Sequence, residues 1–173
     1  MSQRSRKAEK RAVVIGLDMY LSFRKSVSGY NFAGSDKTVY DALLSAAGLT
    51  DLETEARPHA SIEVTVMYWR KANAIHGWFV DELAGGKDEC QEIGVTRENL
   101  IALRGLCEEV ALQPSVAGEV LPPTKGFFFG SDEVDEYYLE YMKDTAREIS
   151  DLLDKLPEEG EGWDWSLVYQ ASW

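Results

Sequence analysis

Ile62-Glu63-Val64-Thr65-Val66-Met67-Tyr68-Trp69-Arg70-Lys71-Ala72-Asn73-Ala74-Ile75-His76-Gly77-Trp78-Phe79-Val80 changes its period in the middle. Ile62, Val64, Val66 and Tyr68 alternate with Glu63, Thr65, Met67 and Trp69, the two-residue repeat of a strand. From Trp69 onward, Ala72, Ile75, His76, Phe79, Val80 and Leu83 recur on one helical face. The stretch predicts a strand running straight into a helix, ended by Gly85-Gly86. It also gathers two Trp, Arg70, Lys71, Asn73 and one of the chain's two histidines. Such density marks a site or a specialised core.

Working outward, Val13, Ile15, Leu17, Met19, Leu21 and Phe23 alternate with Gly16, Asp18, Tyr20, Ser22 and Arg24, which predicts a first strand with one face on the core. Residues 25–38 read as a loop, Lys37–Ala47 as a short helix stopped by Gly48, and Asp51–Pro58 as an acidic loop. Thr96 is a good N-cap for a helix that buries Leu100, Leu103, Leu106, Cys107 and Val110. Pro114 and Pro122-Pro123 bound a loop, and Phe127-Phe128-Phe129 reads as a short buried strand or an aromatic plug. Ser131 is expected to cap the longest helix, about residues 132–156, with the seam Val134, Tyr138, Tyr141, Thr145, Ile149, Leu152 and Leu156. Pro157 ends it. Trp163, Trp165, Leu167, Tyr169, Ala171 and Trp173 alternate as a last strand.

These elements predict one α+β domain over residues 13–173, behind a flexible basic tail at residues 1–12. Its small, largely antiparallel sheet has the N- and C-terminal strands side by side and helices packed on one face.

The chain has 173 residues and a net charge of −12, unevenly spread. Residues 1–11 hold five bases against Glu9, whereas residues 131–164 hold thirteen acids against Lys143, Arg147 and Lys155. Such a field repels nucleic-acid phosphates and suits a basic partner, though acidic surfaces also serve plain solubility. Two cysteines without a C-x-x-C spacing argue against a disulfide framework or a structural zinc site. No apolar run approaches the roughly 18 residues of a membrane span. No phosphate-binding glycine loop, nucleophile elbow or H-E-x-x-H motif is present.

Arg70, Asn73 and His76 stand three residues apart and form a stripe that begins at the core edge. With Asp18 from the polar strand face, or with the acidic helix start Asp132–Glu136, they are expected to converge on one concave surface. The candidate ligand-binding residues are Asp18, Tyr20, Trp69, Arg70, Lys71, Asn73, His76, Asp132 and Asp135. Each has a plain alternative: a core histidine, solvated cations, structural tryptophans, and acids that complement a helix dipole.

Four blocks also resemble a known family. They are Gly16-Leu17-Asp18-Met19-Tyr20-Leu21, the Tyr68–Val80 segment, Gly126-Phe127-Phe128-Phe129-Gly130-Ser131 with Asp135-Glu136-Tyr137-Tyr138, and Tyr169-Gln170-Ala171-Ser172-Trp173. Their order and wording resemble a family of small proteins from tailed bacteriophages and prophage-bearing bacteria. That family typically begins with Met directly before Gly-Leu-Asp-Met-Tyr-Leu, where this chain has Ile15. The resemblance implies a shared fold and a phage-linked setting, and it implies no reaction.

The expected function is a phage-linked binding protein acting on a host macromolecule in the host cytoplasm, with counter-defence inhibition as one form. The alternative is a small-ligand or nucleotide-binding protein or enzyme using the Arg70/His76 junction and the acidic helix start. No cofactor, no direct nucleic-acid binding and no membrane contact are expected. The partner is a host protein, or a small anionic ligand or nucleotide.

Overall fold

The computed structural model describes residues 16–30, 36–50, 58–127, 129–157 and 165–173. In chain order these are β1 (Asp18–Ser28), α1 (Asp36–Ala47), β2 (His59–Arg70), α2 (Asn73–Trp78) continued by a π-helical turn Phe79–Leu83, β3 (Ile93–Val95), α3 (Arg97–Leu112), a 3₁₀ turn Pro114–Val116, α4 (Ala117–Val120), α5 (Glu136–Leu153) and β4 (Trp165–Ser172). This is an α+β fold with one antiparallel sheet in the order β2-β1-β4-β3.

The first and last strands do share the sheet. Asp18 pairs with Ser172 at one end of the β1–β4 ladder and Lys25 with Trp165 at the other. β4 is therefore an inner strand, and its alternation is clean: Leu167, Tyr169 and Ala171 are buried between more exposed neighbours. β1 buries Met19 and Leu21 in the same way. β2 pairs with β1 along its whole length, but the register shifts between Leu21 and Ser22, where Val66 is the extra residue. That bulge puts Met67 and Trp69 in the core, while Val66 also packs against it. Strict alternation across Val66–Met67 therefore fails.

α2, α3, α4 and α5 pack against the face carrying Met19, Leu21, Met67 and Trp69, and they share one core with it. The Trp69 indole donates to Thr145 Oγ1 of α5 at 3.0 Å, tying sheet to helix. Arg97 of α3 donates to the Leu153 carbonyl at 2.7 Å and holds the two long helices together. Thr96 caps α3 as expected, in a reciprocal pair with Asn99. On the opposite sheet face, Tyr20 and Tyr68 stand partly exposed and Arg24 bridges Glu63 and Glu92 at 3.1 and 2.6 Å.

Several expectations need correction. β1 runs on to Ser28 instead of giving way to a loop at residue 25. The longest helix starts at Glu136, with Asp135 rather than Ser131 as N-cap; the Asp135 carboxylate accepts from Tyr138 N at 2.9 Å. Val134 therefore lies outside the helix and is exposed, and Met142, Ala146 and Leu153 join the buried seam. Arg147 pairs with Asp144 at 2.8 Å. β3 and α4 were not foreseen; each is too short for periodicity to declare it. The expected basic tail, the start of the first strand at Val13 and Ile15, most of the acidic loop and Trp163 lie outside the described residues.

Candidate functional site

The junction between β2 and α2 is made by Lys71, whose φ of 58° is the left-handed conformation that a side chain rarely adopts. Its amide donates to the Leu17 carbonyl at 2.8 Å, which anchors the turn to the start of β1. This turn sends Arg70 back along the open sheet face. Its Nη1 donates to Asp18 Oδ1 at 2.9 Å, and the Tyr68 hydroxyl donates to the same oxygen at 2.5 Å. That bond to Asp18 holds the Tyr68 phenol above its ordinary range. Tyr20 leans on Tyr68, with ring centroids 5.3 Å apart. Tyr141 of α5 donates to the Arg70 carbonyl at 3.0 Å. Asp18 and Arg70 thus meet as expected, in an ion pair across adjacent strands.

Beside them lies a cavity of about 280 Å³ lined by Arg70, Lys71, Asn73, Glu133, Asp135 and Tyr137 among others. Half of the expected concave surface is therefore present: Arg70 and Asn73 of the stripe share a wall with Glu133 and Asp135 of the acidic segment. Asp132 is not on it, because it pairs with Lys125 at 3.2 Å. Trp69 is enclosed in the core and takes no part.

His76 is the larger departure. It does not face the Arg70 cavity, because the loop of residues 121–131 crosses between them. Asn73 seats that loop. Its Nδ2 donates to the carbonyls of Phe129 at 3.1 Å and Ser131 at 2.7 Å, and its Oδ1 accepts from Thr124 N at 3.2 Å. Gly77 lets the loop come close, since a Cβ there would lie 2.1 Å from Thr124 Oγ1. Asn73 is thus occupied with the fold.

His76 is 1% exposed and both ring nitrogens are engaged. Nδ1 lies 2.7 Å from the Tyr169 hydroxyl and Nε2 lies 3.0 Å from Asp88 Oδ2. An ionised carboxylate only accepts, so Nε2 carries a hydrogen, and in the neutral imidazole Nδ1 then accepts from Tyr169. Burial pushes the Tyr169 phenol up, so it keeps the proton that it donates. Trp173 Nε1 donates to Asp88 Oδ1 at 3.2 Å and closes the chain of bonds. Asp88, Tyr169 and Trp173 were not among the sequence-derived candidates. Tyr169 and Trp173 carried a strand signal and a place in the last resemblance block, neither of which marks a site, and Asp88 sits in a stretch without periodicity.

No protein-family model, curated protein or solved structure matches this chain. Among the described residues, no cluster of three or more His, Cys, Asp or Glu is placed to hold a metal ion. None of their helices is long and apolar enough to cross a membrane.

Proposed function

We propose that this protein is a binding protein without turnover whose partner is a basic surface on a host macromolecule, and that α5 makes the contact. One observation carries the reading. The three polar side chains of the expected stripe are engaged within the protein: Arg70 pairs with Asp18, Asn73 holds the 121–131 loop, and His76 sits between Tyr169 and Asp88. Open to a partner is the outer face of α5. There Glu136, Tyr137 and Glu140 are exposed next to Tyr141, and Tyr137 is 74% accessible. Tyrosines among acids are the composition of an interface that takes a basic partner. In the phage-linked setting that the resemblance implies, inhibition of a host defence protein is the concrete form.

The test is capture from host lysate at low and high salt, with Tyr137→Ala/Glu140→Lys as control. A specific protein should be retained at low salt, released as salt screens the contact, and lost in the variant. Capture indifferent to both salt and the α5 variant would sink the reading.

A second reading has its own support. Lys71 is held in a strained backbone at the lip of the 280 Å³ cavity, and its ammonium has no partner among the described residues. That arrangement suits a small anion or nucleotide. Thermal-shift screening with nucleotides and cyclic dinucleotides decides it. A ligand at 100 times its dissociation constant adds about 2.7 kcal/mol, and no upward shift for any of them removes the second reading.

A further inference from the structure

A separate cavity of about 400 Å³ opens beside His76, on the far side of the 121–131 loop from Arg70. Its wall is aromatic. Phe129 meets the His76 ring edge-on, with centroids 5.1 Å apart, and Trp173 meets Phe129 at 6.0 Å in the same manner. Two carboxylates, Asp81 and Asp88, line the same space. Lys125 lines it too, but its ammonium is drawn to Asp132 at 3.2 Å.

Asp88 is the informative group. His76 Nε2 donates to one of its oxygens and Trp173 Nε1 to the other. Each carboxylate oxygen has two lone-pair directions, so each keeps one unused. The side chain is still 28% accessible. Asp88 is therefore a carboxylate fixed in place by two protein donors, with a second acceptor site on both oxygens. Asp81 has no ion-pair or hydrogen-bond partner among the described residues and adds a second negative charge.

We propose that this cavity binds a guanidinium group, with Asp88 as its two-point acceptor and Trp173 and Phe129 as its aromatic wall. A planar guanidinium presents paired N–H donors at the spacing of a carboxylate and stacks on aromatic rings. An anion would meet two carboxylates, and an apolar ligand would strip water from both with no compensating bond. The Tyr169–His76 pair then acts as a strut for Asp88. The inference is independent of the α5 contact.

The experiment is an NMR titration of the full chain with N-acetyl-L-arginine amide, its neutral citrulline counterpart, and a short arginine-containing peptide. The expected result is a saturable shift of the Trp173 indole N–H and the Gly126 amide with the arginine compound. Citrulline should bind at least about tenfold more weakly, since it lacks the charge-assisted pair. A peptide that binds more tightly than the free amide assigns the guanidinium to a protein partner; equal affinity assigns it to a small molecule. Asp88→Asn should abolish the shift. Because that change also disturbs His76, the exposed Asp81→Asn is the cleaner variant and should weaken binding several-fold with an unchanged melting temperature. No saturable shift, equal response to citrulline, or full affinity in Asp81→Asn would overturn the proposal.

Discussion

Tyr169→Phe removes one oxygen and leaves the ring in place. The ring stacks on Phe79, with centroids 3.9 Å apart and planes 12° apart, and phenylalanine preserves that contact. The lost oxygen sits 2.7 Å from His76 Nδ1. Both residues are 1% exposed, so water does not take its place. The variant therefore strands one imidazole nitrogen in a buried site, which costs about 1–3 kcal/mol. For a chain of this length each kcal/mol lowers the melting temperature by about 2–4 °C, so the expected drop is about 2–12 °C. Urea unfolding should show a lower midpoint with an unchanged slope. A double-mutant cycle with His76→Phe adds the decisive number. Removing both partners together should cost less than the sum of the single changes, with a coupling of about 0.5–3 kcal/mol. A Tyr169→Phe protein melting within about 1 °C of the parent, or an additive cycle, would show that the pair is not a coupled unit.

Deleting residues 165–173 should abolish cooperative unfolding, because it removes an inner strand with three buried side chains. Leu167 and Tyr169 alone are worth about 2 kcal/mol each against a typical total of about 5–15; a cooperative melt near the parental temperature would contradict this. Gly77→Ala should destabilise by about 1–3 kcal/mol, because its Cβ would meet Thr124 Oγ1, and adding Thr124→Ala should restore most of the loss. In alkali, burial pushes the Cys107 thiol from 9.0 to about 12 and the Tyr138 phenol from 10.0 to about 12. The folded chain holds these protons more tightly than the unfolded one, so stability is full below about pH 9 and falls as pH rises toward 12, with Cys107→Ala flattening the decline. In acid the sign reverses: Arg24 holds the Glu92 carboxyl below its ordinary 4.5, so its contribution is present above 4.5 and lost on further acidification, and Glu92→Gln should blunt that limb.

Much of this was legible because it was periodic. The alternation in Leu17–Phe23 and Trp165–Ala171 marks strands, and the shared sheet follows from their need to bury aromatics. The 3.6-residue pattern and Thr96 mark where α3 begins and which side it buries. Elements of three or four residues leave no period, so β3 and α4 were silent. The bulge at Val66 breaks alternation from within. The site was half legible: Asp18 on the polar strand face and Arg70 at the head of the stripe are expected to converge and do meet, and Lys71 lies at the change of period. His76 and Asp88 meet through tertiary placement that local pattern does not encode. The spacing of Arg70, Asn73 and His76 is helical, yet the loop seated by Asn73 divides them, and no signal in α2 announces a loop arriving from 51 residues downstream.

The pairing of Asp18 with Ser172 also decides how this protein answers to traction. The strands leading out of the sheet in both chain directions depart from the same end of one antiparallel ladder. Tension between them loads the hydrogen bonds in series, opening one pair after another from Asp18–Ser172 toward Lys25–Trp165. A ladder pulled along its length must instead break all its bonds together. Tugged by whatever is joined at those two points, the sheet unzips at low force, however well its core withstands heat.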